Sequence, residues 1–80
     1  MEKYYNLKLY LEQSTKNIEK LTYKQIEEII KSELPKSARI HRTWWSNNSK
    51  GHTQARAWLN SGWKVDKIEL GFNVSLTRYI

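Results

Sequence analysis

The 80-residue sequence carries fourteen Lys and Arg against eight Asp and Glu, a formal net charge of +6 near neutrality. It has no cysteine, which excludes disulfides, thiolate metal sites and a cysteine nucleophile. The length fits a single domain, residues 1–80, whose small core must rest on a few large side chains, while a pI of about 9.7 favours an anionic partner.

Residues 3–13 read as a helix, with Tyr4, Leu7 and Leu11 at helical spacing and Ser14-Thr15-Lys16-Asn17 as its stop. Ile18 to Leu21 is short and extended. Thr22 and Gln25 have the spacing of a capping box, and Leu21 and Ile26 that of a hydrophobic staple. The second helix should bury Ile26, Ile29 and Ile30, wet Glu27, Glu28, Lys31 and Glu33, and end at Pro35, whose ring pushes Leu34 out of helical backbone. Its acidic outer face should turn away from a polyanion.

Residues 36–45 read as a short helix or turn, capped by Ser37 and placing Ile40 and Trp44 on one face. Ser46-Asn47-Asn48-Ser49-Lys50-Gly51 is a polar loop. Thr53 is the expected cap of a third helix over 54–61, with Ala55, Trp58 and Leu59 inward and Gln54, Arg56 and Asn60 outward or flanking. Gly62 should take the left-handed position after it, folding Trp63 back onto Trp58. The chain closes on a hairpin, with Ile68 and Leu70 on one strand, Val74, Leu76 and Ile80 on the other, and Gly71-Phe72-Asn73 as the turn. Arg78 breaks the apolar face and should lean toward the basic middle of the chain. The expected fold is α+β, a small winged-helix-like domain of three helices with a C-terminal β-hairpin.

The charge is not spread evenly. Residues 34–65 hold Lys36, Arg39, Arg42, Lys50, Arg56 and Lys64 and no acid, together with all four Trp and both His. Cations, flat rings and amides together suit a ligand that is anionic and has rings, which is the chemistry of nucleic acid or a nucleotide. In a winged-helix arrangement residues 22–33 support, residues 53–61 recognise and residues 65–80 form the wing. Gln54, Arg56 and Asn60 then read base edges while Lys36, Lys50 and Lys64 meet phosphates. A second constellation, Arg39, Arg42, Trp44, Trp45 and Asn47, has the parts of a nucleotide pocket: guanidinium forks for phosphate and indoles for stacking. A structural role competes for each Trp, since large aromatics are mostly buried.

Catalysis has little support. The basic stretch offers no carboxylate base or magnesium cage. His41-Arg42-Thr43 has the His-x-Thr form of two-histidine phosphoesterases, but the second such motif is missing. The expectation is a non-enzymatic domain with no cofactor and no metal site. No stretch is long and apolar enough to span a membrane, and Met1-Glu2-Lys3 lacks the apolar core of a secretory leader. A cytoplasmic protein with no membrane partner is expected.

The run Leu34-Pro35-Lys36-Ser37-Ala38-Arg39-Ile40-His41-Arg42-Thr43-Trp44-Trp45-Ser46-Asn47, with Gln54-Ala55-Arg56-Ala57-Trp58-Leu59-Asn60-Ser61-Gly62-Trp63-Lys64-Val65 after it, resembles a small bacterial and phage domain family, DUF7662. The family's pattern joins Leu-Pro-x-Ser-Ala to Arg-x-Trp-Trp-x-Asn and then to Gln-Ala-x-Ala-Trp-Leu-x-x-Gly-Trp-x-Val. Leu21-Thr22-Tyr23 and Val74-Ser75-Leu76-Thr77-Arg78 also fit. The resemblance implies a stand-alone domain from a bacterium, phage or mobile element, similar to companions of restriction and defence systems. That setting implies either DNA binding or an anti-defence protein that captures a host nucleotide.

The first expectation is thus a non-enzymatic DNA-binding domain. Its contact set is Arg39, Arg42, Trp44, Trp45, Asn47, Lys50, His52, Gln54, Arg56, Asn60 and Lys64. The alternatives are sequestration of a nucleotide or cyclic nucleotide, for which a homodimer would help enclose the pocket, and inhibition of a host defence or restriction protein through the same basic aromatic face.

Overall fold

In the computed structural model, which describes residues 3–80, α1 spans Tyr5–Gln13 and buries Leu7 and Leu11, with Tyr4 just ahead of it also in the core. Met1 and Glu2, part of the expected leaderless N-terminus, lie outside the described residues. β1, Ile18–Thr22, alternates Glu19 and Leu21 inward with Ile18, Lys20 and Thr22 outward, the period of two that a half-buried strand imposes.

α2, Tyr23–Ile30, starts on the expected capping box: the Gln25 amide donates to Thr22 Oγ1 at 3.0 Å and the Thr22 amide to Gln25 Oε1 at 2.9 Å. Leu21 and Ile26, the staple positions, are both buried. The helix stops earlier than Pro35 requires. Lys31 takes left-handed backbone (φ 57°), and the Glu27 carbonyl accepts the backbone amides of Lys31 and Ser32. Pro35 instead leads into α3, Lys36–Ile40, where its φ of −67° suits the position before a helix.

The expected helix over 36–45 is two pieces. His41 is extended between α3 and a 3-10 helix, Arg42–Trp45. That break leaves Ile40 52% exposed and puts Trp45 in the core, so Ile40 and Trp44 do not form the expected stripe. Ser37 does not cap: Pro35 flanks the helix and no side-chain cap bond forms. α4 covers Thr53–Leu59, so Thr53 is its first residue rather than its cap. Gly62 has the expected positive φ, 86°. Trp63 does not spend its indole N–H at the end of α4; it donates to the Leu11 carbonyl at 3.1 Å and ties β2 to α1.

β2, Trp63–Glu69, and β3, Asn73–Arg78, make the hairpin, and β1 adds to it, giving a three-stranded antiparallel sheet in the order β1-β3-β2. The expected three helices and a hairpin are therefore four helices, one 3-10 turn and a three-stranded sheet, still α+β. Leu21 pairs with Val74 and Ile68 with Val74 from the other side, which sets the inner face against the helices. Trp45, Trp58 and Trp63 fill the space between them, all 3% exposed or less. Arg78 reaches the basic middle of the chain only near its end, at Trp63. It lies over the Trp63 ring at 4.6 Å and donates to the carbonyls of Ser14 (2.7 Å) and Lys16 (2.9 Å), lacing β3 to the turn after α1.

Candidate functional site

The segment between α3 and α4 is tied down by the side chains that look most like ligand contacts. Trp45 is 3% exposed and donates to the Ala38 carbonyl at 2.8 Å. Its ring stacks on Trp58 at 6.0 Å and meets Trp44 edge-on at 4.6 Å. Trp44 is half-buried against Tyr4. Asn47 bonds within the domain through both ends of its amide: Oδ1 accepts the Val65 amide (2.8 Å) and the Trp58 indole N–H (3.0 Å), and Nδ2 donates to the Val65 carbonyl (2.9 Å). Gln54 is 6% exposed and donates to the Trp44 carbonyl at 2.8 Å. Arg39 pairs with Glu27 at 2.6 Å and lies over Tyr23. The Leu34 amide, and then Arg39, hold the Glu27 carboxyl below its ordinary range.

Five of the eleven sequence-picked residues, Arg39, Trp44, Trp45, Asn47 and Gln54, thus bond or pack inside the domain. Gln54 in particular is not on the outer face expected for it. The reason is periodicity: a seven-residue helix whose Ala55, Ala57 and Trp58 are buried has little surface left, and residue 54 falls on the buried side.

The other six stand in the open or at its margin. Arg56 and Asn60 are exposed, and neither side chain has a hydrogen-bond or ionic partner among the described residues. Lys50 and Lys64 are exposed. Arg42 is exposed and gives one N–H to the Ile68 carbonyl at 3.2 Å, which leaves most of its five donors free. His52 is half-buried, with Nδ1 3.4 Å from Gln54 Nε2.

Two features escaped the sequence. The outer face of the sheet carries Lys20, Lys64 and Lys67 beside Ser75 and Thr77, because Lys20 and Lys67 both pair with Ser75 and Lys64 pairs with Thr77. Lys64 and Lys67, three apart, share that face only because a bulge between Val65 and Lys67 shifts the register. The alternation of Ile18, Lys20 and Thr22 was the available signal. The second feature is a cleft of about 300 Å³ between α1 and α4, lined by Tyr4, Tyr5, Lys8, Arg56, Ala57 and Asn60. Arg39, Arg42, Trp44 and Asn47 do not line it.

Residues 4–79 match the family described as Domain of unknown function (DUF7662). The chain belongs to the DUF7662 family. No curated protein and no solved structure matches it, so what the DUF7662 fold does must be argued from its own surface. Among the described residues, no group of His, Cys, Asp or Glu could hold a metal ion, and no helix is long and apolar enough to cross a membrane.

Proposed function

We propose that the domain binds nucleic acid, duplex DNA in the first place, as a winged-helix variant without catalytic activity. The order of helices and strands and the β1-β3-β2 sheet support that reading. In this arrangement α2 supports, α4 recognises, and β2 with β3 forms the wing. The insertion of α3 and the 3-10 helix lengthens the usual link between the two helices.

The observation that carries the proposal is the division of labour on α4. Its inner residues are locked in the core, while Arg56, and Asn60 at its C-terminal cap, are exposed with no side-chain partner among the described residues. Arg and Asn are the side chains that reach guanine and adenine edges in pairs of bonds. Arg42, Lys50 and Lys64 stand nearby in the chain as exposed phosphate contacts, and His52 adds a further donor. The pocket of Arg39, Arg42, Trp44 and Asn47 has less support, since Asn47 is bonded to Val65 and Arg39 is paired with Glu27. Inhibition of a defence protein has no observation of its own in its favour.

The test is fluorescence anisotropy of a labelled short duplex across a salt series. The proposal expects affinity to fall steeply and linearly in log–log form as salt rises, by about 0.9 in slope per phosphate contacted. Binding that is undetectable at low salt, or indifferent to salt, would sink it.

A further inference from the structure

The α1–α4 cleft gathers two cations, two tyrosines and an amide around one concave space. Tyr5 is 38% exposed along its wall. Tyr4 is 8% exposed, and its hydroxyl has no partner, yet no unpartnered side-chain N or O is fully buried among the described residues. That hydroxyl therefore keeps some contact with solvent, and burial raises its pKa. The Arg56 guanidinium and the Asn60 amide, without partners among the described residues, form the α4 side. Lys8 completes the lining. It bridges to Glu12 at 2.7 Å, and that carboxylate, outside the cleft lining, holds the ammonium charged.

These groups have a division of chemistry. Arg56 and Lys8 place two cations in one concave site, and a guanidinium fork fits a phosphate with two parallel bonds. Tyr5 gives an exposed aromatic ring, on which a planar base stacks. Asn60 supplies both a donor and an acceptor for a base edge or a sugar hydroxyl. The volume sits at the lower end of the range for small-ligand sites, about 300–1,000 Å³, which suits a single nucleotide and not a dinucleotide.

We propose that this cleft binds a nucleoside monophosphate, with the phosphate on Arg56 and Lys8 and the base over Tyr5. Because Arg56 and Asn60 are also the outward residues of α4, a bound nucleotide would occupy groups that duplex DNA needs. The two ligands are then mutually exclusive, and the domain releases DNA as the nucleotide rises. Only this competition rests on the DNA-binding reading; the cleft itself does not.

The experiment is a titration of the ¹⁵N-labelled full chain with AMP, GMP, CMP and UMP in turn, and with inorganic phosphate, followed by amide shifts. The site predicts saturable shifts confined to the start of α1 and to α4 for at least one nucleotide. Binding should weaken about tenfold in Tyr5→Ala, and inorganic phosphate should bind far more weakly than the nucleotide. The Tyr5→Ala spectrum must keep its native dispersion, and Lys8→Gln, at a half-buried position on the same wall, serves as the second variant. Absence of saturable shifts with all four nucleotides overturns the proposal. So does equal binding of phosphate, or shifts that map to the sheet face of Lys20, Lys64 and Lys67. Nucleotide binding without duplex binding upholds the cleft and sinks the DNA reading. Duplex binding that a cleft-bound nucleotide does not displace sinks the competition and leaves the cleft standing.

Discussion

Asn47 holds the backbone of Val65 on both sides, donating to its carbonyl at 2.9 Å and accepting its amide at 2.8 Å. β2 is an edge strand, and edge strands leave unpaired backbone groups that invite another chain. One amide side chain closes that edge at Val65 and accepts the buried Trp58 N–H besides. Asn47→Ala removes all three bonds and leaves the indole donor unsatisfied, at a cost of about 2–4 kcal/mol. A domain of this size holds only about 4–12 kcal/mol in all, so the variant should melt far below the parent in urea. Asn47→Asp keeps the two acceptor bonds and should lose less. A denaturation midpoint unchanged in Asn47→Ala would mean that the amide has no structural role.

That role shows why the fold was more legible than the site. Local signals act over a few residues: those at Thr22, Gln25 and Gly62 hold, and the hairpin turn comes one residue earlier than expected, at 70–72, because Asn73 already pairs with Glu69. The pairing of β1 with β3 joins residues more than fifty apart, and no local pattern announces it. The site suffered more. Arg39, Trp45 and Asn47 have side chains suited equally to a ligand and to the core. Their choice was settled by Glu27, Ala38 and Val65, which come close only in the fold. Arg56 and Asn60 were read correctly as outward because seven residues of helix around a buried Trp58 leave one open face. Lys20 and Lys67 were missed because charge was counted along the chain, whereas β3 gathers it across the sheet.

Glu27 makes stability depend on acid. Its Oε2 accepts the Leu34 amide at 2.7 Å and Arg39 Nη2 at 2.6 Å, and the folded pKa lies below the ordinary 4.5. A carboxyl whose pKa is lower in the folded state stabilises at pH above its unfolded value, and the benefit is lost as pH falls through the folded value. Glu27→Gln should therefore be less stable than the parent from neutrality down to the mid-fours, by at most about 1 kcal/mol for so exposed a pair. The gap should close as the pH drops further. A gap that is constant down to strong acid would show that the carboxylate charge is not the cause.

Gly62 separates backbone strain from crowding. Its φ is +86°, and a Cβ there would sit 2.5 Å from Ile80 Cγ1. Ile80 is 83% exposed, so its flexible side chain can swing away at little cost. The left-handed backbone cannot be relieved so easily in the turn from α4 to β2. Gly62→Ala should cost about 1–2 kcal/mol, and adding Ile80→Ala should recover little of it. Near-complete recovery in the double variant would assign the cost to the side-chain clash instead.

Arg56 and Arg39 test whether the surface has been divided correctly. Both are arginines in the acid-free stretch, and the sequence weighted them alike. The structure gives Arg39 a carboxylate at 2.6 Å and the face of Tyr23, and gives the Arg56 side chain no partner among the described residues. Arg56→Ala should weaken duplex binding about tenfold, the loss of one good base or phosphate contact, with the melting temperature almost unchanged. Arg39→Ala should do the reverse: a small loss of stability, at most about 1 kcal/mol, and affinity near that of the parent. The salt series separates the roles further. If Arg56 meets a phosphate, its removal lowers the slope by about 0.9; if it meets a base edge, the slope stays and only selectivity among duplexes falls. Equal effects of the two substitutions on binding would mean that the Glu27 pair opens on contact with DNA, and that the interface runs across α2 as well as α4.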